Sequence, residues 1–129
     1  MPTTKRIALW FLLFALLPLT AAQAQRRITG AAFQQEVLNS RIPVLVFFDA
    51  AWCGPCRFIA PKVRDVAREY SGRLKVVLVD VDGSPGIAGR YGATPLPVLL
   101  LFKNGQVVER LTGALGKHVI ESRIGQHLP

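Results

Sequence analysis

Cysteine and histidine are both scarce in this chain of 129 residues, which contains two of each. Two cysteines are too few for a zinc site built from cysteine alone or for a small fold held by many disulfides. Two histidines leave little for a histidine-based metal site. The sequence also lacks the Gly-rich phosphate loops of the P-loop and dinucleotide-binding types. These absences argue against a metal-dependent or nucleotide-dependent activity.

Hydrophobic residues make up half of the sequence, and only 19% of the residues are charged. Such a composition is sufficient for one packed domain and argues against intrinsic disorder. The formal net charge is +8, from 16 Lys and Arg against 8 Asp and Glu. The basic residues are scattered, and no aromatic residues alternate with them in a stacking pattern. We interpret the charge as a solvated surface and expect no binding of nucleic acid.

The first 24 residues have the pattern of a secretory signal peptide. Lys5 and Arg6 precede an apolar run over residues 7–19. Ala22-Gln23-Ala24 follows, with small residues at the two positions that a signal peptidase recognises. This order predicts cleavage after Ala24. The apolar run is shorter than the roughly 20 residues that a spanning helix needs, although an uncleaved inner-membrane anchor is the alternative. We expect the bacterial periplasm as the compartment.

Residues 25–129 form the predicted mature domain, in which helices alternate with strands. Apolar runs predict buried strands, Asn104-Gly105 predicts a two-residue hairpin, and apolar residues at helical spacing predict amphipathic helices. The predicted elements are a helix capped by Thr29, a strand over 44–48, a helix that begins near Cys53 and is kinked at Pro61, a strand over 74–81, a short helix over 87–91, a hairpin of strands 97–102 and 106–111, and a last helix with Ile120, Ile124 and Leu128. The fold class is therefore α/β, with a central mixed β-sheet flanked by helices on both faces.

Both cysteines lie in one motif, Cys53-Gly54-Pro55-Cys56, at the point where a strand ends and a helix begins. A disulfide across so short a loop constrains the unfolded chain little, so a structural cross-link is a poor explanation. A metal site is also a poor explanation, because the pair supplies two ligands and two others are not evident. Reversible redox chemistry is the function that this spacing fits.

Position in the predicted helix assigns a role to each residue of the motif. Cys53 lies at the helix N-terminus, where free amides and the helix dipole stabilise the attacking thiolate. Cys56 lies about one turn deeper, and its thiol is placed to resolve a mixed disulfide at Cys53. Pro55 fits the first turn of a helix, and Gly54 with Pro55 tunes the preference for the reduced form.

The segment Val44-Leu-Val-Phe-Phe-Asp-Ala-Ala-Trp-Cys-Gly-Pro-Cys56 resembles the active site of the thioredoxin family. The resemblance continues in order through nearly the whole domain, over Ile59-Ala60-Pro61, Asp80 to Asp82, Tyr91-Gly92, Leu96-Pro97, Phe102 to Gly105, and Gly113-Ala114-Leu115. It implies the thioredoxin fold and dithiol–disulfide exchange with proteins. No metal and no organic cofactor is expected.

We also predict a substrate-binding surface formed by Trp52, Leu96, Pro97 and Gly113. Pro97 by itself is equally compatible with a cis bond and with a proline that merely begins a strand, and the resemblance implies cis. A cis bond leaves the backbone N–H and C=O of Leu96 free to pair with an extended peptide. Trp52 offers a flat apolar contact, or else packs against its own loop.

Several positions depart from the family pattern. The family usually has a buried Asp where this chain has Phe47, and often a Lys where it has Leu78. The joint loss is physically reasonable, because removal of one buried charge would leave the other unpaired. Asp49, or else water, is then the candidate proton acceptor for Cys56, although the interpretation of Asp49 that we favour is a solvated loop acid. Pro95 stiffens the substrate loop, and the short chain before Ile28 predicts a curtailed first edge strand.

We therefore predict a periplasmic, monomeric protein-disulfide reductase or exchange protein. Its expected partners are disulfide-containing proteins and, as the electron donor, a membrane thiol relay, because the periplasm is kept oxidising. The alternatives are a disulfide oxidase or isomerase, and a non-catalytic module that binds peptides at Leu96. A cytochrome-maturation reductase ranks lower, since the sequence lacks the insertion that is usual in that group.

Overall fold

A computed structural model describes residues 25–129, and the predicted signal peptide lies outside the described residues. The described chain forms five strands and four α-helices. The strands are β1 (Arg26–Ile28), β2 (Val44–Asp49), β3 (Lys75–Asp80), β4 (Val98–Lys103) and β5 (Gln106–Thr112). The helices are α1 (Gly30–Phe33, continued by a π-helix over Gln34–Leu38), α2 (Gly54–Glu69), α3 (Pro85–Arg90) and α4 (Lys117–Gly125).

The strands form one mixed sheet in the order β1-β3-β2-β4-β5. Strands β1 and β2 run parallel to β3, whereas β4 is antiparallel to both β2 and β5. Helices connect the parallel strands, and a two-residue turn connects β4 to β5. Asn104 and Gly105 of that turn have φ values of 52° and 78°, as a type I′ turn requires. The predicted mixed sheet and hairpin are confirmed.

Two apolar cores lie on opposite faces of the sheet. Every residue from Val44 to Phe48 is fully buried, because alternate side chains of the central strand β2 enter alternate cores. One core contains both cysteines and the buried sides of α2 and α4. The other contains the buried residues of α1 and its π-helix, with α3 packed against it. Helices therefore flank the sheet on both faces, as predicted.

The first helix differs from the sequence prediction in its cap and in its second half. Thr29 occupies the cap position without a side-chain hydrogen bond. The backbone N–H of Gly30 instead donates to the buried Ser84 hydroxyl at 3.0 Å, so a residue from another element satisfies it. The helix also widens into a π-helix that ends where the Asn39 N–H donates to the Gln34 carbonyl.

The remaining elements follow the prediction with small changes of boundary. Helix α2 runs without interruption across Pro61, and the kink at that residue stays a prediction. Leu128 lies beyond the end of α4 but still packs against the core that contains the cysteines. The edge strand β1 has three residues, which agrees with the expected curtailment. None of the helices formed by residues 25–129 has the length and apolar character that crossing a bilayer requires.

Candidate functional site

The two cysteines form a disulfide at the N-terminal end of α2. Their sulfurs are 2.11 Å apart and their Cα atoms 5.4 Å apart. Cys53 is the N-cap residue of α2, and the backbone N–H of Cys56 donates to its Sγ at 3.2 Å. Both residues are buried, Cys53 at 4% and Cys56 at 1% exposure. The helix thus directs a backbone N–H at the sulfur of Cys53. Such a donor stabilises negative charge on that sulfur.

The residues that separate the cysteines are exposed. Gly54 and Pro55 are the first two residues of α2, where the missing N–H of a proline leaves no hydrogen bond unmade. The predicted position of Pro55 in the first helical turn is confirmed.

An apolar floor underlies the disulfide. Phe47 is fully buried in the same core as both cysteines, and Leu78 packs against that core. The two residues are register partners on the adjacent parallel strands β2 and β3, so their side chains share one face of the sheet. Apolar side chains therefore occupy the two neighbouring positions at which the family pattern usually has a buried Asp and often a Lys.

Asp49 ends β2 on the same sheet face as Phe47 and is half-buried. Its Oδ1 accepts a hydrogen bond of 2.7 Å from the N–H of the next residue, Ala50. Among residues 25–129, no hydrogen bond joins the Asp49 carboxylate to either cysteine. The structure places this candidate proton acceptor at the end of β2 that leads to the cysteine motif, without a direct hydrogen bond to the sulfurs.

Trp52 is exposed, at 67% of its surface, immediately before Cys53. Its indole Nε1 donates to Oδ2 of Asp82 at 2.8 Å, and the backbone N–H of Asp82 donates to Asp80 Oδ1 at 3.1 Å. The indole is thus anchored at its polar edge while its faces stay open to solvent. The sequence analysis included Asp82 only in the stretch Asp80 to Asp82 of the family resemblance and gave it no role. Its position where β3 ends beside β2 was the signal for a role at the site.

The loop before β4 lies next to the turn after β5. The Leu96–Pro97 peptide bond is cis, as the resemblance implied, and Thr94–Pro95 is also cis, which was not predicted. The Gly113 N–H donates to the Pro97 carbonyl at 3.1 Å, and Gly113 has a φ of 88° that favours glycine. Neither the N–H nor the C=O of Leu96 has a backbone partner within residues 25–129. The structure therefore brings Gly113 next to Leu96 and Pro97, and the binding role of these residues with Trp52 stays a prediction.

Phe58 is a residue that sequence reasoning missed. It lies on α2, five residues after Cys53, and is exposed at 73% of its surface. Helical spacing was the available signal, since Phe58 falls outside the set of apolar residues that α2 buries.

Arg110 was missed as well. Its guanidinium donates to the carbonyls of Tyr91 and Gly92 at 2.9 and 2.5 Å. These two residues form the turn that leads into the loop with both cis prolines. No sequence signal connects Arg110 to that loop, because the contact crosses from β5 to a distant turn.

Metal ligands are not clustered in the described part of the chain. No group of three or more His, Cys, Asp or Glu side chains there has an arrangement that could hold a metal ion.

Comparison with known proteins gives consistent matches. The family model described as thioredoxin matches residues 24–126. Thioredoxin 1 of Nostoc sp. is 45% identical over 105 residues, which cover 81% of this chain and 98% of that protein. Thioredoxin 1 of Synechococcus elongatus is 48% identical over 101 residues, covering 78% of this chain and 94% of that protein. The thioredoxin of Haemophilus influenzae is 44% identical over 101 residues, with the same two coverages.

Proposed function

Because the chain belongs to the thioredoxin family and is a thiol–disulfide oxidoreductase with an active-site cysteine pair, we propose that it reduces or exchanges disulfides of proteins outside the cytoplasm. The Cys53 thiolate attacks one sulfur of the substrate disulfide, and the other substrate sulfur leaves as a thiolate. Cys56 loses its proton and attacks Cys53, which breaks the mixed disulfide. The substrate gains two electrons, and Cys53 and Cys56 become joined.

The hydrogen bond from the Cys56 N–H to Cys53 Sγ is the observation that supports this order of attack. A helix N-terminus carries partial positive charge from its unpaired amides, and this charge favours a thiolate over a thiol. Cys56 lies inside the first turn and receives no such amide among the described contacts. Cys53 is therefore the proposed nucleophile and Cys56 the proposed resolving thiol, while Gly54 and Pro55 tune the couple.

Substrate docking is proposed at Trp52, Leu96, Pro97 and Gly113. The free N–H and C=O of Leu96 suit the backbone of an extended peptide, and the hydrogen bond from Gly113 to Pro97 supports the loop from behind. The anchored indole of Trp52 adds an apolar surface that tolerates different substrate side chains.

The proton acceptor for Cys56 is proposed to be Asp49 or a water molecule that Asp49 holds. Its place at the end of β2, above the apolar floor of Phe47 and Leu78, supports this role. Asp49→Asn should slow the resolving step most between about pH 5 and pH 8, where an ordinary carboxylate is ionised and an ordinary thiol still needs a base, measured by the decay of a preformed mixed disulfide with a peptide. An unchanged decay rate at every pH would exclude Asp49 as the base.

Location and direction of electron flow complete the proposal. The basic, apolar and small-residue order of residues 1–24 supports export to the periplasm, and the family match that begins at residue 24 agrees with a leader before it. In that compartment a reductase needs electrons from elsewhere, so a membrane thiol relay is the proposed donor. The Gly-Pro pair between the cysteines favours reduction over oxidation.

Thiol trapping tests the proposal in the intact cell. Cys56→Ser, expressed as the full chain, should accumulate mixed disulfides with its partners in the extracytoplasmic fraction, and Cys53→Ser should accumulate none. Purified wild type should reduce the trapped partners. Trapped complexes confined to the cytoplasmic fraction would contradict the location, and net oxidation of the partners by wild type would reverse the direction.

A further inference from the structure

We propose that the outer face of α2, formed by Arg57, Phe58, Pro61, Arg64 and Arg68, docks an acidic segment of the partner protein that also carries an apolar side chain. This inference rests on the proposed function, since the docked segment belongs to a protein whose disulfide reacts at Cys53. It assigns a class of partner that the cysteine pair alone does not select.

Helix geometry places the three arginines in one line. Successive residues of an α-helix turn by about 100°, so Arg57, Arg64 and Arg68 point within a narrow sector, and all three are exposed. Pro61 lies among the arginines, and Phe58 borders them on the side of Lys62; both are exposed. The buried residues of the helix occupy the opposite side, namely Cys56, Ile59, Val63, Val66 and Ala67. The arginine line spans about 16 Å along the helix axis at 1.5 Å per residue.

Contacts with α4 show which flank of α2 carries the arginines. Lys62 Nζ donates to the Leu115 carbonyl at 3.3 Å, and Glu69 pairs with Lys117, so the flank of Lys62 and Glu69 faces α4. The arginine line lies on the other flank and is not covered by that helix.

The sheet edge adds a fourth arginine on the same side of the molecule. Arg27 of β1 is the register partner of Leu78 on β3, and Leu78 faces the core beneath α2. Arg27 therefore shares the sheet face that α2 covers, at the exposed edge of the sheet.

The positive charge of this surface is largely uncompensated. Arg68 pairs with Asp65, whereas Arg27, Arg57 and Arg64 have no carboxylate within 4.0 Å in the described part of the chain. Guanidinium groups bind carboxylates through paired hydrogen bonds. Asp and Glu side chains are thus the groups that fit this line.

Phe58 indicates that the partner also supplies an apolar group. It is the most exposed of the large apolar side chains in the described chain, ahead of Trp52. Aromatic and arginine side chains are enriched together at protein interfaces, where aromatic residues serve as anchors. A water-exposed phenyl ring beside uncompensated arginines therefore matches a mixed acidic and apolar segment.

Continuity with the redox site favours a protein over a lipid surface. The arginine line begins one residue after Cys56, and Arg57 Nη2 donates to the Ala51 carbonyl at 3.5 Å in the loop before Trp52. A segment held there is presented to the disulfide, and only a molecule that carries a disulfide gains from that placement.

Two disulfide-containing peptides with identical cysteine loops provide the test. One carries three Asp residues and a Leu next to the loop, and the other carries Asn residues and a Ser in the same places. At low ionic strength, wild type should reduce the acidic peptide with about tenfold higher kcat/KM than the neutral one. Added salt should lower this ratio of kcat/KM values.

Charge-reversal variants identify the surface responsible. Arg64→Glu with Arg68→Glu should remove most of the preference, and Phe58→Ser should lower kcat/KM for the acidic peptide by about three- to tenfold. The matched control, Arg41→Glu with Arg90→Glu, makes the same change in net charge at exposed positions away from α2 and should keep the preference. If the charge-reversal variant has a lower urea midpoint than wild type, the milder Arg64→Gln with Arg68→Gln replaces it in the test.

The possible outcomes separate this inference from the proposed function. Reduction of the neutral peptide at an unchanged rate in every variant reports intact cysteine chemistry. Equal losses in the variant and the control would assign the effect to net charge and overturn the docking surface. Loss of binding to vesicles of anionic phospholipid in Arg64→Glu/Arg68→Glu, with both peptides reduced as before, would assign the line to a membrane and overturn it too. Failure of wild type to reduce either peptide contradicts the proposed function itself.

Discussion

At the scale of single residues, Phe47 has the largest consequence for the chemistry. It is fully buried in the core that contains both cysteines, so the deeper thiol of Cys56 must lose its proton beside hydrocarbon. An apolar environment disfavours the thiolate, which makes the resolving step depend on whatever base lies at the rim. Because Phe47 and Leu78 are apolar, we expect proton transfer from Cys56 at the solvent-facing rim of the site and not at these two positions.

A double-mutant cycle tests whether these two positions form one unit. Phe47→Asp should lower the free energy of unfolding by about 4 kcal/mol, because it buries an unpaired carboxylate. Leu78→Lys, added to it, should recover about 1–2 kcal/mol, since the two positions are adjacent across β2 and β3. Urea unfolding of the four proteins measures this coupling.

Phe48→Asp provides the matched control for that cycle. Phe48 is equally buried but lies in the opposite core, so its coupling to Leu78→Lys should be near zero. A coupling of the same size in both cycles would show that the introduced lysine acts through general charge and not through its neighbour on β2.

At the scale of elements, Arg110 links the edge strand β5 to the substrate loop. One guanidinium holds two successive carbonyls, those of Tyr91 and Gly92, and Gly92 has a φ of 57° at this turn. The turn leads through the buried Ala93 into the loop that ends at Pro97. An exposed side chain on one element therefore holds the turn that leads into the loop with the two cis prolines.

Removal of this guanidinium should affect substrate binding more than folding. Arg110→Met should lower the free energy of unfolding by no more than about 1 kcal/mol, because the lost hydrogen bonds are exposed. It should raise KM about threefold for a protein disulfide, with kcat unchanged and no effect on a small aromatic disulfide. Arg110→Lys, which keeps the charge but not the paired geometry, should recover part of the loss, while Arg90→Met should have no effect. A loss of kcat with both substrates would argue for a general structural defect.

The contact between β5 and α4 depends on one carboxylate. Glu109 accepts hydrogen bonds from Arg123 Nε at 2.9 Å and from His127 Nε2 at 3.1 Å. The Arg123 guanidinium, followed by His127, holds the pKa of Glu109 below its usual value. A group with a lowered pKa in the folded state stabilises the fold above its unfolded pKa and loses that contribution as the pH falls.

The pH dependence of unfolding tests this contact. The urea midpoint of wild type should exceed that of Glu109→Gln near pH 6, and the gap should close as the pH falls below about 4.3, the ordinary pKa of glutamate. The two midpoints are compared from pH 6 to pH 2.5. Parallel curves over that whole range would mean that the charge of Glu109 contributes nothing to the docking of α4.

The elements that local signals specify were predicted, and those that depend on distant partners were not. Asn104-Gly105 fixes a hairpin by its own backbone preferences, and the apolar run of β2 identifies a central strand. Strand β1 has the sequence Arg-Arg-Ile, which carries no local strand signal, so only the family resemblance led us to expect a short edge strand there. The missing cap at Thr29 has a similar cause, since the buried Ser84 hydroxyl takes its place.

The site shows the same contrast between features that adjacent residues specify and features that depend on distant partners. The cysteine motif and its helix were predicted because adjacent residues define them. Asp82, Phe58 and Arg110 were missed as site residues, because each acts through a contact or an exposure that only the folded chain creates. Resemblance to a family supplied the cis bond at Pro97, which local preference alone left undecided.

At the scale of the whole molecule, the core and the disulfide make separate contributions. Buried side chains fill both faces of a five-stranded sheet, so the long-range order comes from strand pairing and from the two cores. The disulfide joins residues only three positions apart at one end of the sheet. It restricts very little of the unfolded chain.

Reduction should therefore lower the free energy of unfolding by less than the loss of a structural disulfide would. Closure of so short a loop contributes about 2 kcal/mol in the chain-entropy account, and less where the unfolded chain is already compact. Urea unfolding of the oxidised chain and of the chain kept in excess dithiol gives the difference directly. Both forms should unfold in a single transition, because a reversible redox couple needs a folded scaffold in each state. A loss above about 4 kcal/mol on reduction would lie in the range expected for a structural disulfide. It would mean that the bond holds the fold together. Cycling between the oxidised and the reduced cysteine pair would then be incompatible with a stable protein.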